Sequence, residues 1–267
     1  MSALAAVVDW LRCPHCAAAL HLDGSSLRCS QGHAFDVARQ GYVNLLGRAA
    51  PRNADTAEMV AARDRFLRAG HYSPIADAVA DELRGARRVL EAGAGTGHYL
   101  AHALGADALG LAADVSVAAA RRAARTHPRV AAIVADTWSG LPVADGAVDA
   151  VLCVFAPRNP GEFRRVLDDC GRIVVVVPEP GHLAELRQAH GLLDVPDDKA
   201  DRVASALGGE ARRRHVRFRL DLDAEAATDL VAMGPNAFHA SPRLAASSVT
   251  VDVSVLTITG PGRSPLR

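Results

Sequence analysis

The chain has 267 residues, 49% of them hydrophobic and 4% aromatic, and its 30 basic side chains balance 30 acidic ones. That length allows one large domain, or one ordinary domain with a small module attached, and the aliphatic composition suits an α/β core. Zero formal charge excludes a global field that gathers nucleic acid, so an RNA partner needs local patches, and no apolar run reaches membrane-spanning length.

Residues 1–10 lack a basic start and are broken by Asp9, so no secretion signal is read there and the expected location is cytoplasmic. In that compartment cysteines serve more often as metal ligands than in disulfides. Cys13-Pro14-His15-Cys16 is followed by Cys29 and His33, the pattern C-x2-C-x12-C-x3-H. Two tight knuckles presenting three thiols and an imidazole are what tetrahedral zinc prefers. Pro14 and Gly32 suit the turns, and His15 inside the first knuckle is expected to point away. Paired disulfides fail on arithmetic: three cysteines stand here, and Cys153 and Cys170 fall far off in strand-like sequence. With Cys13, Cys16, Cys29 and His33 the ligand set is full, so the metal is expected to be structural.

Residues 35–46 read as a strand and turn that dock this module, taken as residues 1–50, on a main domain of residues 51–267. A loop at 47–53 carries Arg48 and Arg52. Residues 55–69 have helix character, with Asp55 or Thr56 as N-cap and Met59, Val60, Ala62, Phe66 and Leu67 supplying an apolar face. Arg63, Arg65 and Arg68 on it read as a solvated face in preference to an RNA patch. Gly70 ends that helix and another occupies 75–83, so residues 51–85 are connecting helices.

Residues 88–114 organise the rest. They read as a strand holding Glu91, the turn Gly93-x-Gly95-x-Gly97, a helix, and a second strand that closes on Asp114. This is the nucleotide-binding half of a doubly wound sheet. The glycines let the backbone approach a ligand, and Asp114 at the strand's end can accept both hydroxyls of a ribose. The spacing departs from the dinucleotide pattern G-x-G-x-x-G, and an acid beside the turn suits a cation better than a pyrophosphate. S-adenosylmethionine offers a sulfonium, an ammonium and a ribose, so the segment is read as its site. The bland alternative is a glycine turn that merely closes a βα unit.

A helix at 118–126 precedes a strand at 130–135 that ends on Asp136, an acid placed to reach an adenine amine or to cap a helix. Residues 148–155 are continuously apolar, as a buried parallel strand should be. They open into Ala156-Pro157-Arg158-Asn159-Pro160, where doubly wound enzymes place chemistry. A helix at 162–167 and a strand at 172–177 follow, and 178–183 crosses the same rim. Helices at 183–190 and 224–233 flank a basic strand at 212–220, and 249–259 is a last strand. The pattern fits a Rossmann-like, seven-stranded methyltransferase sheet with an antiparallel edge. The arginines of 212–219 read equally as a sheet edge guarded by charge and as RNA contacts.

Taken in order, several segments carry a resemblance. They are the Cys13, Cys16, Cys29, His33 set, then Phe35-Asp36-Val37-Ala38-Arg39-Gln40-Gly41-Tyr42-Val43-Asn44-Leu45-Leu46, and Asp55-Thr56-Ala57-Glu58-Met59-Val60. Ala69-Gly70-His71-Tyr72, Phe155-Ala156-Pro157-Arg158-Asn159-Pro160 and Met233-Gly234-Pro235 complete the series. Over essentially its whole length the chain resembles the bacterial 23S ribosomal RNA guanine-N1 methyltransferases, which include the tylosin- and mycinamicin-type macrolide-resistance enzymes. The resemblance implies a zinc module that helps recognise an RNA hairpin near the peptide exit tunnel. It implies transfer of a methyl group from S-adenosylmethionine to N1 of one guanine, and a homodimer. It places Tyr72, Gly95, Thr96 and His182 against the cofactor, beside Glu91, Gly93, Gly97, Asp114 and Asp136 from the reading above. Glu91 stands where the family more often has Asp, and Ala112-Ala113-Asp114-Val115-Ser116 where it often has Gly-Leu-Asp-Val-Ser.

For such a reaction the donor is already activated, and the protein's main task is to align guanine N1 with the sulfonium methyl. The N1 proton must leave, and the rim residues Arg158, Asn159 and His182 are the candidates for accepting it or steadying the enolate-like base. A hairpin guanine is expected to be turned out of its stack onto an aromatic or Arg plane, with the zinc module supplying shape and phosphate contacts. Two other readings compete. One is a methyltransferase of a small metabolite, and the other is a zinc-bearing RNA-binding protein without catalysis, against which the intact turn and Asp114 argue. Between housekeeping and self-resistance, the similarity to the resistance enzymes favours resistance.

Overall fold

The computed structural model describes residues 2–51, 53–190, 194–234 and 244–260. Arg52 of the predicted loop and Pro235 of the Met233-Gly234-Pro235 segment lie outside them. The chain opens with α1 (Ala3–Val7), a small antiparallel sheet of β1 (Leu20–Asp23), β2 (Ser26–Cys29) and β3 (Ala34–Asp36), and then β4 (Tyr42–Asn44). Two helices follow, α2 (Ala57–Arg68) and α3 (Ser73–Glu82). Next come β5 (Arg88–Ala92), α4 (His98–Ala103), β6 (Leu109–Asp114), α5 (Val117–Ala123), β7 (Val130–Val134) and β8 (Val148–Val154). The remainder is α6 (Pro160–Val166), β9 (Leu167–Pro178), α7 (Ala184–His190), α8 (Lys199–Leu207), β10 (Glu210–Leu222), α9 (Ala224–Ala232) and β11 (Ser247–Thr259).

The main sheet runs β10-β11-β9-β8-β5-β6-β7-β4. Strands β9, β8, β5, β6 and β7 are parallel, and β11 is antiparallel to both its neighbours. The seven expected strands are therefore present, and an eighth joins them. Tyr42, Val43 and Asn44 pair in parallel with Ala132, Ile133 and Val134. This is how segment 35–46 docks the zinc module: β4 covers the edge that β7 would otherwise leave open, with Val43 fully buried. The first residues are joined to the sheet as well. Leu4, Val7, Trp10 and Leu11 share one core with Leu111, Ile133 and Val143, and Arg12 and Ala144 donate backbone hydrogen bonds to Pro142 and Trp10.

Continuous apolar strands are explained by cores on both faces. Along β8, Val151 and Cys153 enter the core beneath the zinc module, while Ala150, Leu152 and Val154 enter the opposite core with Ile75, Val79 and Leu230. The alternation is the period-two geometry of a strand. The six mutually parallel strands, β4 among them, aim their carboxyl ends at one rim.

Two charged segments are tied into the fold by ion pairs. Of the α2 arginines, Arg68 is exposed as a solvated face requires, whereas Arg65 and Arg63 also tie the helix to other elements. Arg65 makes two hydrogen bonds to the buried Asp229 of α9, at 2.9 and 2.6 Å, and Arg63 pairs with Asp55 and the Met233 carbonyl. Thr56 caps the helix, leaving Asp55 for Arg63. The basic run on β10 is a guarded edge: Arg212 meets Glu82, Arg213 meets Glu179 and Asp201, Arg214 meets Asp81, and Arg217 meets Asp252. Replacing Arg65 with Ala would strand the Asp229 carboxylate, so Arg65→Ala should destabilise the fold by about 2 kcal/mol. Urea unfolding reads this as a lower midpoint at unchanged slope, and Asp229→Asn in the same chain should recover part of it.

Candidate metal centre and cofactor cradle

The metal-ligand atoms of Cys13, Cys16, Cys29 and His33 all lie within 4.8 Å of one another. Cys13 Sγ is 3.5 Å and Cys29 Sγ 3.4 Å from His33 Nδ1, and the Cys16 and Cys29 sulfurs are 3.7 Å apart. The edge of a tetrahedron built on Zn–S bonds of about 2.3 Å is roughly 3.8 Å, so the residues fit the ion. Left-handed Ala17 and Gly32 close the two knuckles. Burial raises the Cys29 thiol, but N–H groups of Gln31 and His33 and the His33 ring outweigh it and bring the thiol down to about 6, the direction that a thiolate ligand needs. His15 stacks on Phe35 at 5.8 Å, outside the ligand set.

The cradle is built by β5, its turn and β6. Gly93, Gly95 and Gly97 all have positive φ, between 53° and 71°, where a side chain is strained. Space argues the same way: a Cβ on Gly93 would collide with Ala156, and one on Gly95 would lie 2.9 Å from Arg63 Nη1. Asp114 locks the turn by accepting hydrogen bonds from Gly95 N–H and Ser116 N–H, each at 2.8 Å. Burial pushes its carboxyl up and these donors pull it back. A carboxylate oxygen has two lone pairs, so both oxygens keep capacity for a diol.

Glu91 is the telling residue. It is 1% exposed, and its Oε2 has no hydrogen-bond partner among the described residues. Burial, with Asp114 adding repulsion, holds its carboxyl well above the ordinary range. A buried acid with an open oxygen behind a glycine turn fits a ligand that brings an ammonium. Thr96 is buried in the same turn.

The other predicted residues divide. Tyr72 is buried with its ring edge-on to Phe66 at 5.0 Å, and it stands 6.4 Å from His182 and 6.3 Å from Phe155. His182 stacks on Phe155 at 5.7 Å. Its Nδ1 accepts the Asp252 N–H at 3.2 Å, so its proton sits on Nε2 and it can only donate there. Burial, with help from Arg187, pushes this imidazole down to about 4. Asp136 is engaged by its own loop, accepting from Trp138 N–H and Ser139 Oγ and pairing with Arg48. Asn159 caps α6 through Oδ1 and donates to the Thr137 carbonyl, so its amide is held in place by its own loop. Arg158 donates to the Ala156 carbonyl.

Two rim residues escaped the sequence reading. Phe155 has φ 53° and is 40% exposed, and Arg63 overhangs Gly95. No local pattern announces either; only a Phe at the junction of an apolar strand with a proline turn gave a hint. A separate cavity of about 400 Å³ between α1, the zinc hairpin and α5 shares no residue with the cradle.

Comparison with known proteins bears on the whole chain. Residues 11–48 match the family described as "RlmA, N-terminal" and residues 89–175 match "Methyltransferase domain". The chain is 49% identical to the 23S rRNA (guanine(748)-N(1))-methyltransferase of Streptomyces fradiae, with 88% of each covered. It is 46% identical to a Micromonospora griseorubida protein provisionally named a 23S rRNA (guanine-N(1)-)-methyltransferase, over 93% of this chain and 94% of that one. In fold it is similar to the YcgJ protein of Bacillus subtilis, with a TM-score of 0.52 and 18% identity over 72% of this chain and all of that one.

Purified protein should carry one zinc per chain by mass spectrometry. Cys29→Ser should lose the ion and lower the unfolding midpoint by several degrees, because that module shares its core with the sheet. A variant that keeps both metal and midpoint would contradict the ligand assignment. Glu91 yields a pH test. A folded-state pKa raised above the unfolded one means stability falls as pH climbs from the ordinary carboxyl range toward the raised value. Binding S-adenosylmethionine should then release a proton, and affinity should rise across the same window. Calorimetry in buffers of different ionisation heat reads the proton, and Glu91→Gln should abolish both its release and the slope.

Proposed function

The chain belongs to the 23S rRNA (guanine-N1)-methyltransferases, and we propose that it methylates N1 of one guanine in a 23S rRNA hairpin near the peptide exit tunnel. Macrolide resistance of the tylosin or mycinamicin type, cytoplasmic action and a homodimer are parts of the same reading. Among the described residues no helix is long and apolar enough to cross a membrane. The observation that carries the reading is the open, buried Glu91 oxygen behind a glycine turn, with Asp114 at the next strand's end.

S-adenosylmethionine, when bound, supplies an activated methyl group on a sulfonium. Glu91 would hold its ammonium, Asp114 its ribose hydroxyls, and Gly93, Gly95, Thr96 and Gly97 would let the backbone close on it. Tyr72 and His182 would wall the mouth. Asp136 lies at the adjacent strand end, already bound to Arg48. That contact supports a coupling of the two modules, because Arg48 follows β4 out of the zinc region.

At the rim, Phe155 offers a ring held outward by a left-handed backbone. A non-glycine residue in that conformation costs about 1–3 kcal/mol, and exposing a large apolar ring adds to the cost. Both make sense if a base turned out of its stack lies on that ring. His182, a donor at Nε2, would not take the N1 proton. With Arg158 it would steady negative charge on the guanine oxygen while the proton passes to water. Asn159 would serve the α6 cap instead of the reaction.

Tritium transfer from labelled S-adenosylmethionine to 23S rRNA of a strain lacking this gene tests the reading. Primer extension should then show one new stop in the tunnel-proximal hairpin, since an N1-methyl blocks the Watson–Crick edge. Phe155→Ala should lower turnover about 10–100-fold with cofactor binding intact, and Phe155→Tyr should retain most of it. Label in a small molecule and none in RNA would overturn the reading in favour of a metabolite enzyme. RNA binding without transfer would favour a non-catalytic RNA-binding protein.

A further inference from the structure

We propose that Arg63 is the receptor for the carboxylate of the methyl donor, the second half of a zwitterion clamp whose first half is Glu91. The inference rests on the reading of the glycine turn as an S-adenosylmethionine site and adds a contact to it.

The geometry begins at Gly95. A Cβ there would meet Arg63 Nη1 at 2.9 Å and Arg63 Cδ at 3.3 Å. A guanidinium therefore occupies the space over the turn that a side chain at position 95 would fill. The arginine is held there from three sides. It rises from α2, one terminal nitrogen donates to the Asp55 carboxylate, and the other donates to the Met233 carbonyl at the end of α9. Asp55 is itself fixed, because its carbonyl accepts a hydrogen bond from Ser116 Oγ at 2.7 Å. An arginine has five N–H donors, and these contacts use two. Among the described residues, Nε has no partner.

Charge makes the same case. The cradle contains two buried carboxylates, Glu91 and Asp114. The ammonium and carboxylate of an amino acid share one carbon, so a ligand whose ammonium reaches Glu91 brings its own anion close to both acids. Without a cation at the turn, that anion would face repulsion in a weakly screened site. Arg63 is a cation whose field reaches this region: it acts on the buried Tyr99 of α4 and on Asp114, where its partner Asp55 acts with the opposite sign. A planar fork of donors matches a carboxylate in geometry as well as in sign.

The rival role is structural, a strap between α2 and α9. Arg65 already supplies that strap through the paired bonds to Asp229. The two roles separate by ligand. Isothermal titration would compare S-adenosylmethionine with decarboxylated S-adenosylmethionine, which keeps the ammonium, sulfonium and adenosine but lacks the carboxylate. Wild type should prefer the intact donor by about 10–100-fold, the worth of one charge-assisted pair. Arg63→Gln should erase the preference by weakening only the intact donor, and Arg63→Lys should restore part of it. Equal losses for both ligands would make Arg63 a structural strap and overturn the proposal, as would an unchanged preference in Arg63→Gln. Wild-type protein that binds neither ligand would overturn the cradle reading itself, an outcome distinct from the failure of Arg63 alone.

Discussion

Two carboxylates buried side by side in an apolar sheet are unfavourable, and the centre of this molecule is arranged around that constraint. Asp114 is relieved locally by the N–H groups of Gly95 and Ser116. Glu91, one strand over, is left with an oxygen that nothing in the described chain satisfies. The glycine turn between them provides backbone donors without side chains, and Ala156 from the loop after β8 fits into the gap that Gly93 leaves. The arrangement selects its ligand by sign: an anionic pyrophosphate would aggravate the burial cost, whereas a cation removes it.

Behind the rim, a second set of buried acids is neutralised from outside. Glu82, Glu179 and Asp252 are buried, and Arg212, Arg213, Arg217 and His215 of β10 reach across the sheet to them. Asp252 has a further role, since its backbone N–H sets the tautomer of His182. An edge strand dense in arginine therefore serves buried acids at both ends of the sheet, Glu179 and Asp252 near the rim and Glu82 at the opposite end. It also keeps that edge from pairing with another sheet.

Spacing within a few residues was legible in the sequence. The zinc knuckles, the Gly93-Gly95-Gly97 turn and the acids at strand ends stand in the structure where local pattern placed them, because each depends on its own neighbours. Pairings between distant residues were not legible. Asp136 looked free for a ligand, but Arg48 from the zinc side pairs with it. Asn159 was placed at the rim by pattern, but that its side chain also caps the helix that it begins was not legible. The α2 arginines matched a solvated face by composition, as Arg68 is, and only the placement of Asp229 and Asp55 shows the pairings of Arg65 and Arg63. The eighth strand is a similar case: a strand and turn were legible in residues 35–46, but not that Tyr42–Asn44 would pair with the open edge of β7.

The position of β11 bears on how the molecule is made. The last strand in chain order does not lie at the border of the sheet but between β9 and β10. During synthesis, β10 leaves the ribosome with no neighbour, and the sheet stays open on that side until residues beyond 247 follow. The same late strand brings Asp252, which orients His182 and answers the charges of β10. Cofactor cradle and zinc hairpin precede residue 247 in the chain, whereas the contact that orients His182 waits for Asp252. The tautomer of His182, seventy residues upstream, is thus fixed only by a strand made much later in the chain.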